Sequence, residues 1–204
     1  MTDTFGTPSR RGFLGLALGA GAFGLAGAGK AAPRQVKTNA NILILGAGAA
    51  GAALANRLIE RLDGATITLV DGRREHWYQP GFSLIAAGLK PASYSVSQTT
   101  DWLPSDVTLK QDWAANIDPE ARKVALAGGE VLSYDYLIVA TGLSLDHDAI
   151  DGFSLEMVGQ DGIGALYAGP DYAAKTWQAA SKFTEDGGVG LFTRPATEMK
   201  CAGA

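Results

Sequence analysis

An α/β fold built on a parallel sheet is what this 204-residue sequence predicts, and three observations carry it. The apolar run "NILIL" at 41–45 passes at once into the glycine spacing G-x-G-x-x-G, at Gly46, Gly48 and Gly51, and then into a helical stretch. A second apolar run, "ATITLVD", ends on an acid, Asp71, about twenty residues past the last glycine. A third, "YDYLIVATG", ends in Thr141-Gly142. Short uninterrupted apolar runs mark strands that are covered on both faces, which is the habit of parallel sheets.

Each element then has its own reason. Ile42 to Leu45 form the first buried strand. Gly46 permits the tight turn, Gly48 lets backbone approach a diphosphate, and Gly51 lets helix and strand pack closely. The following helix is expected to turn Ala53, Leu54, Leu58 and Ile59 inward. Its N-terminus offers amides and a partial positive charge to an anion. Asp71, at the end of the second strand, stands where a carboxylate holds a ribose hydroxyl. Strand, glycine turn, helix, strand and acid together make a Rossmann-like dinucleotide-binding unit. Further on, Val107–Lys110, Lys123–Leu126 and Val131 read as short strands of an antiparallel meander, with Gly128-Gly129 as a hairpin turn. The run ending at Thr141-Gly142 returns the chain to the parallel sheet. Helices are expected on both faces of that sheet, and Gly187 to Phe192, "GGVGLF", reads as the first strand of a second domain.

Composition narrows the function. The chain is 47% hydrophobic and 19% charged, enough for one globular domain and part of another. Net charge is −4 with no basic stripe, so no nucleic-acid partner is expected. A single cysteine, Cys201, excludes an intrachain disulfide framework. His76 and His147 lie far apart and make no metal-ligand spacing with it, so no metal site is expected. His76 reads as a packed or surface side chain, and Trp102, Trp113 and Trp177 as packing residues.

The front of the chain has a different character. "SRRGFLG" at 9–15 precedes the Gly/Ala-rich apolar run 16–29, then Lys30 and "AAP". Charged, apolar, small is the order of an export leader, too short and glycine-broken for a membrane span. The pair Arg10-Arg11 followed by Phe13-Leu14 gives it the look of a twin-arginine signal. Residues 1–32 are therefore expected to direct the chain to the periplasm, with cleavage after Ala28 or Ala32.

The residues alone leave FAD and NAD both open. The meander followed by "ATG" resembles the two-dinucleotide-domain flavoprotein disulfide reductases, and that resemblance implies FAD. Two further stretches resemble sulfide:quinone oxidoreductases. "HWYQPGFSLIAAG" at 76–88 is similar to that family's "HYYQPxxxLxxAG". "YAAKTWQAASKF" with "GGVGLFTRPATEMKCAGA" is similar to its "KTW…F…P…KCAGAP". With the glycine fingerprint, the resemblance covers almost all of 40–204.

It implies a Rossmann-like FAD-binding domain at 40–150 and the start of a second, incomplete dinucleotide-type domain at 151–204. It implies that Ala49 and Ala50 share the phosphate turn with Gly46, Gly48 and Gly51. Asp71 takes the ribose position, Gln79 meets the flavin region, and the Ala114 backbone meets the adenine. Thr141 and Gly142 lie beside the cofactor. Cys201 becomes a redox cysteine that handles sulfide, at the start of a helix that favours the thiolate. Sulfide and a quinone are the implied partners. The family continues for about as many residues again, so the chain reads as an N-terminal fragment. The missing part would hold the partner cysteine and a membrane-facing segment. Two alternatives stand beside this reading: the flavoprotein subunit of a flavocytochrome c sulfide dehydrogenase, with a cytochrome as acceptor, and a non-catalytic nucleotide-binding remnant.

Overall fold

The computed structural model describes residues 35–193. The leader and Cys201 lie outside the described residues.

Eleven strands and three α-helices follow one another in the described chain. β1 (Val36–Lys37) and β2 (Asn41–Leu45) lead into α1 (Ala49–Arg61). β3 (Leu62–Asp63), β4 (Thr66–Val70) and β5 (Glu75–Trp77) precede the short α2 (Phe82–Ala86). Then come β6 (Val96–Gln98), β7 (Val107–Lys110), β8 (Ala114–Asp118), β9 (Lys123–Leu126), β10 (Val131–Ser133) and β11 (Tyr136–Val139), and finally α3 (Pro170–Asp186).

The central sheet has four strands in the order β11-β2-β4-β7, all parallel. The three apolar runs predicted as neighbours do lie side by side. The registers Ile44↔Leu69 and Ile44↔Ile138 align their buried centres. Side chains alternate across the sheet because successive Cβ atoms point to opposite faces. Ile42, Ile44, Ile67 and Leu69 form one core with Ala55, on which Leu54, Leu58 and Ile59 of α1 pack. Leu43, Leu45 and Val70 form the other core, with Val124 and Leu126 of β9.

That second core corrects the expectation of helices on both faces. The antiparallel sheet β10-β9-β8 covers the face opposite α1. A sheet face needs an apolar cover, and β9 supplies one by pointing Val124 and Leu126 inward. Membership of the meander is corrected as well. Val107–Lys110 is the fourth parallel strand, paired with β4 through Leu69↔Leu109, and the meander's first strand is β8. Strand pairing is a long-range choice that a four-residue run does not encode locally. In α1 the inward positions are Ala52 and Ala55 with Leu54, Leu58 and Ile59, while Ala53 faces water.

A third core lies apart from the sheet. Phe82 and Ile85 of α2 meet Ala173 of α3, with Trp77, Leu166 and Ala174 packed around them. Trp177 of α3 lies against Gly88 and is half-buried, as a packing residue should be. Trp102 and Trp113 depart from that expectation, since both are more than half exposed. Trp102 donates its indole N–H to Ser97 Oγ at 2.8 Å, so its polar edge is used near the surface.

The segment 187–193 is not a strand. Val189, Leu191 and Phe192 are exposed, Phe192 almost fully at 98%. A strand needs a hydrogen-bonding neighbour, and among the described residues none pairs with this segment. No helix of the described residues is long and apolar enough to cross a membrane.

Candidate dinucleotide site

The carboxyl ends of β11, β2 and β4 open onto a cleft of about 400 Å³. Open parallel sheets place their ligands at this edge, where loops leaving successive strands diverge. The turn after β2 supplies Gly46 to Ala50, the end of β4 supplies Asp71 and Arg73, and the loop after β11 supplies Ala140 to Leu143. The remaining wall is Glu75 to Pro80.

Sequence dictates the shape of the first turn. Gly46 has φ +101°, a conformation L side chains rarely adopt, and a Cβ there would strike the carbonyl of Ala140. Gly51 faces the carbonyl of Gly46 so closely that any Cβ would collide with it, so this glycine sets how near α1 approaches β2. Gly48 differs, because a Cβ built on it meets no protein atom within 4 Å. The protein itself has no steric need for glycine there; the open space belongs to the cleft.

The turn ends at a bare helix start. Gly48 caps α1 without a side-chain hydrogen bond, and the first turn contains no acid. The first amides of a helix lack partners within it. Here they meet no competing carboxylate, so the N-terminus of a 13-residue helix keeps its attraction for an anion. A diphosphate fits this turn in charge and in space.

Asp71 is buried at 7% exposure and bonded to backbone on both oxygens. Oδ2 accepts the N–H of Ala47 at 2.8 Å and Oδ1 accepts that of Arg73 at 2.9 Å. The Arg73 guanidinium lies 3.6 Å from Oδ1 and extends over the Trp77 ring, 5.7 Å from its centroid. The carboxylate thus ties the glycine turn to the end of β4.

The structure brings together Gly46, Gly48, Ala49, Ala50, Asp71, Gln79, Thr141 and Gly142 in one wall. Gly51 stands behind that wall, against Gly46. Ala114 stands at the start of β8, opposite Leu126 and outside the wall. Cys201 lies outside the described residues. Arg73, two residues past Asp71, is part of no sequence motif, and Trp77 and Tyr78 lie in the 76–88 motif, where Gln79 alone has an expected role. His76 also lines the cleft; its Nδ1 is buried and has no hydrogen-bond partner among the described residues.

A parallel sheet with a glycine turn, an uncapped helix start and a carboxylate at the next strand end defines a dinucleotide-binding oxidoreductase fold. Residues 40–167 match the family described as pyridine nucleotide-disulphide oxidoreductase, and the chain belongs to that family. Within it, the chain is 37% identical over 186 residues to the mitochondrial sulfide:quinone oxidoreductase of Mus musculus, covering 87% of this chain and 40% of that protein. It is 33% identical over 172 residues to the mitochondrial sulfide:quinone oxidoreductase of Dictyostelium discoideum, covering 84% and 37%. Among solved structures, the sulfide:quinone oxidoreductase of the hyperthermophilic bacterium Aquifex aeolicus aligns with a TM-score of 0.53 at 22% identity, covering 72% of this chain and 33% of that one. That likeness concerns the fold. The chain spans about two fifths of the length of these two curated relatives.

Proposed function

We propose that this chain is the FAD-binding part of a flavin-dependent oxidoreductase that takes electrons from sulfide and delivers them to a quinone. The observation that carries the reading is the cleft, which gathers the glycine turn, Asp71, Gln79 and Thr141-Gly142 at the ends of three adjacent parallel strands. The sulfide and quinone specificity is supported by the names of two relatives above 30% identity that match more than four fifths of this chain.

The residues would divide the work simply. The first turn of α1 holds the diphosphate. Asp71 fixes the turn and accepts a ribose hydroxyl, while Gln79 and Thr141-Gly142 border the flavin end. FAD, when bound, supplies a redox carrier for the transfer. In the full-length enzyme Cys201 is proposed to form a disulfide with a second cysteine; hydrosulfide attacks that bond, one cysteine then carries the persulfide, and the other leaves as the thiolate.

The test is a titration of the purified chain with FAD. Asp71→Ala removes a buried acceptor of charge-assisted hydrogen bonds, a loss of about 1.5–3 kcal/mol, so FAD affinity is expected to fall roughly ten- to a hundredfold. Unchanged affinity removes Asp71 from the site. For Cys201, stopped-flow absorbance of the flavin-loaded full-length enzyme mixed with sulfide is decisive. Cys201→Ser is expected to keep FAD and lose sulfide-dependent bleaching; bleaching at the wild-type rate excludes Cys201 from the pathway.

Export through the twin-arginine route belongs to the same proposal. Replacing Arg10 and Arg11 with lysine keeps charge and removes the guanidinium pair. A reporter fused after residue 40 is then expected to remain inside the cell. Normal export of the double-lysine variant would point to a general secretory leader instead.

A further inference from the structure

The cleft has two fixed points along a bound dinucleotide: the glycine turn after β2 and Asp71 at the end of β4. Continuing in the same direction by one strand spacing, about 4.8 Å, leads to the end of β7. The chain leaves β7 at Lys110 and reaches Trp113 three residues later. The Trp113 indole lies against Gly72, so closely that a Cβ on Gly72 would overlap the ring. Gly72 stands between Asp71 and Arg73, both of which line the cleft.

Three features make this indole a platform. Its backbone is anchored: Trp113 N–H donates to Asp112 Oδ1 at 2.7 Å, and its carbonyl accepts from Ala127 N–H at 2.8 Å. The segment is tied to the strand that carries the carboxylate, because Asp71 N–H and Asp112 N–H both donate to the Lys110 carbonyl, at 3.1 and 3.0 Å. The side chain is nevertheless 58% exposed. A tryptophan offers its area most favourably when covered. Here one side rests on a glycine backbone and much of the rest meets water, beside the ribose carboxylate. Arg73 does not cover it, since its guanidinium lies over Trp77.

We propose that the exposed face of Trp113 stacks on the adenine of the bound dinucleotide and sets the outer end of the site. The proposal rests on the dinucleotide reading of the cleft. It also gives Ala114 a different place: the neighbouring indole, rather than the Ala114 backbone alone, meets the base. Stacking on an aromatic face tolerates any base, so Trp113 supplies affinity, and the choice of adenine is made elsewhere.

The experiment titrates the full chain with FAD and, separately, with ADP, following indole emission. With Trp77, an indole that lines the cleft, replaced by Phe throughout, ADP is expected to quench emission of the Trp77→Phe chain and to leave that of the Trp77→Phe/Trp113→Phe double variant unchanged. Trp113→Ala is expected to weaken both ligands by about 5- to 100-fold. Trp113→Phe retains a ring and most of the affinity, and it serves as the variant that preserves local packing. Equal ADP affinity in wild type and Trp113→Ala overturns the stacking assignment and leaves the cleft reading standing. So does a quench that survives in the Trp77→Phe/Trp113→Phe double variant, because a merely structural role would keep it. A wild-type chain that binds neither FAD nor ADP overturns both readings together.

Discussion

In β2 the residues Ile42 to Leu45 are all buried, while in β8 all five residues from Ala114 to Asp118 are exposed. The two strands belong to sheets that touch. β2 lies between β11 and β4 and is covered by α1 on one face and by the meander on the other. β8 has one strand neighbour, β9, with a register irregularity between Ala114 and Asn116. Packing defines the first strand. The second is held by its ladder and by anchored turns, such as the bonds of Asp112 to the amides of Trp113 and Gly128. Substitutions should therefore separate the two by size and by kind.

The largest effect is expected at Ile44, which is fully buried at the centre of the sheet. Ile44→Ala should cost about 2–5 kcal/mol, read as a lowered midpoint in denaturant unfolding. A value near that of a surface site would mean that β2 is not the packing centre. Gly46→Ala comes next. It places a side chain at φ +101° and against the Ala140 carbonyl, a strain of about 1–3 kcal/mol. Because the strain lies at the cleft mouth, FAD affinity should fall with stability; a stable variant with intact FAD binding would contradict the turn geometry.

Ile117→Ala, in β8, tests the other side of the comparison. Ile117 is exposed, and a substitution there should change stability by about 0.5 kcal/mol. A loss as large as that of Ile44→Ala would show that β8 packs against a partner. The smallest effect lies outside both sheets, in the loop before α3. A hydrogen bond from the Ser154 side chain, then one from its own backbone, holds the Glu156 carboxyl below its ordinary value. A depressed carboxyl favours the folded state above its unfolded value and loses that contribution as pH falls. Ser154→Ala should move the Glu156 titration upward, seen by carboxyl carbon NMR, and an unmoved titration would rule out that hydrogen bond.

Reading the sequence succeeded where the signal was local. The glycine spacing, the acid at Asp71 and the three apolar runs each stand in a few consecutive residues, and the cleft follows from joining them. It failed where partners are distant. Val107–Lys110 has the composition of a meander strand, and only its neighbour β4 makes it parallel. The run 187–192 has strand composition, but among the described residues it has no strand to pair with. Arg73 carries no motif, and the 76–88 motif does not say that Trp77 faces the glycine turn; both enter the site because the chain after β4 runs beside that turn.

By itself the sequence determined the βαβ unit, the glycine turn and the position of the carboxylate, because backbone sterics and burial impose those on short segments. Tertiary structure alone decided what covers the second face of the sheet, which strand stands fourth, and where the Trp113 indole comes to rest. Those outcomes depend on contacts between residues far apart in the chain, whose cost in loop closure and gain in buried area no local pattern records.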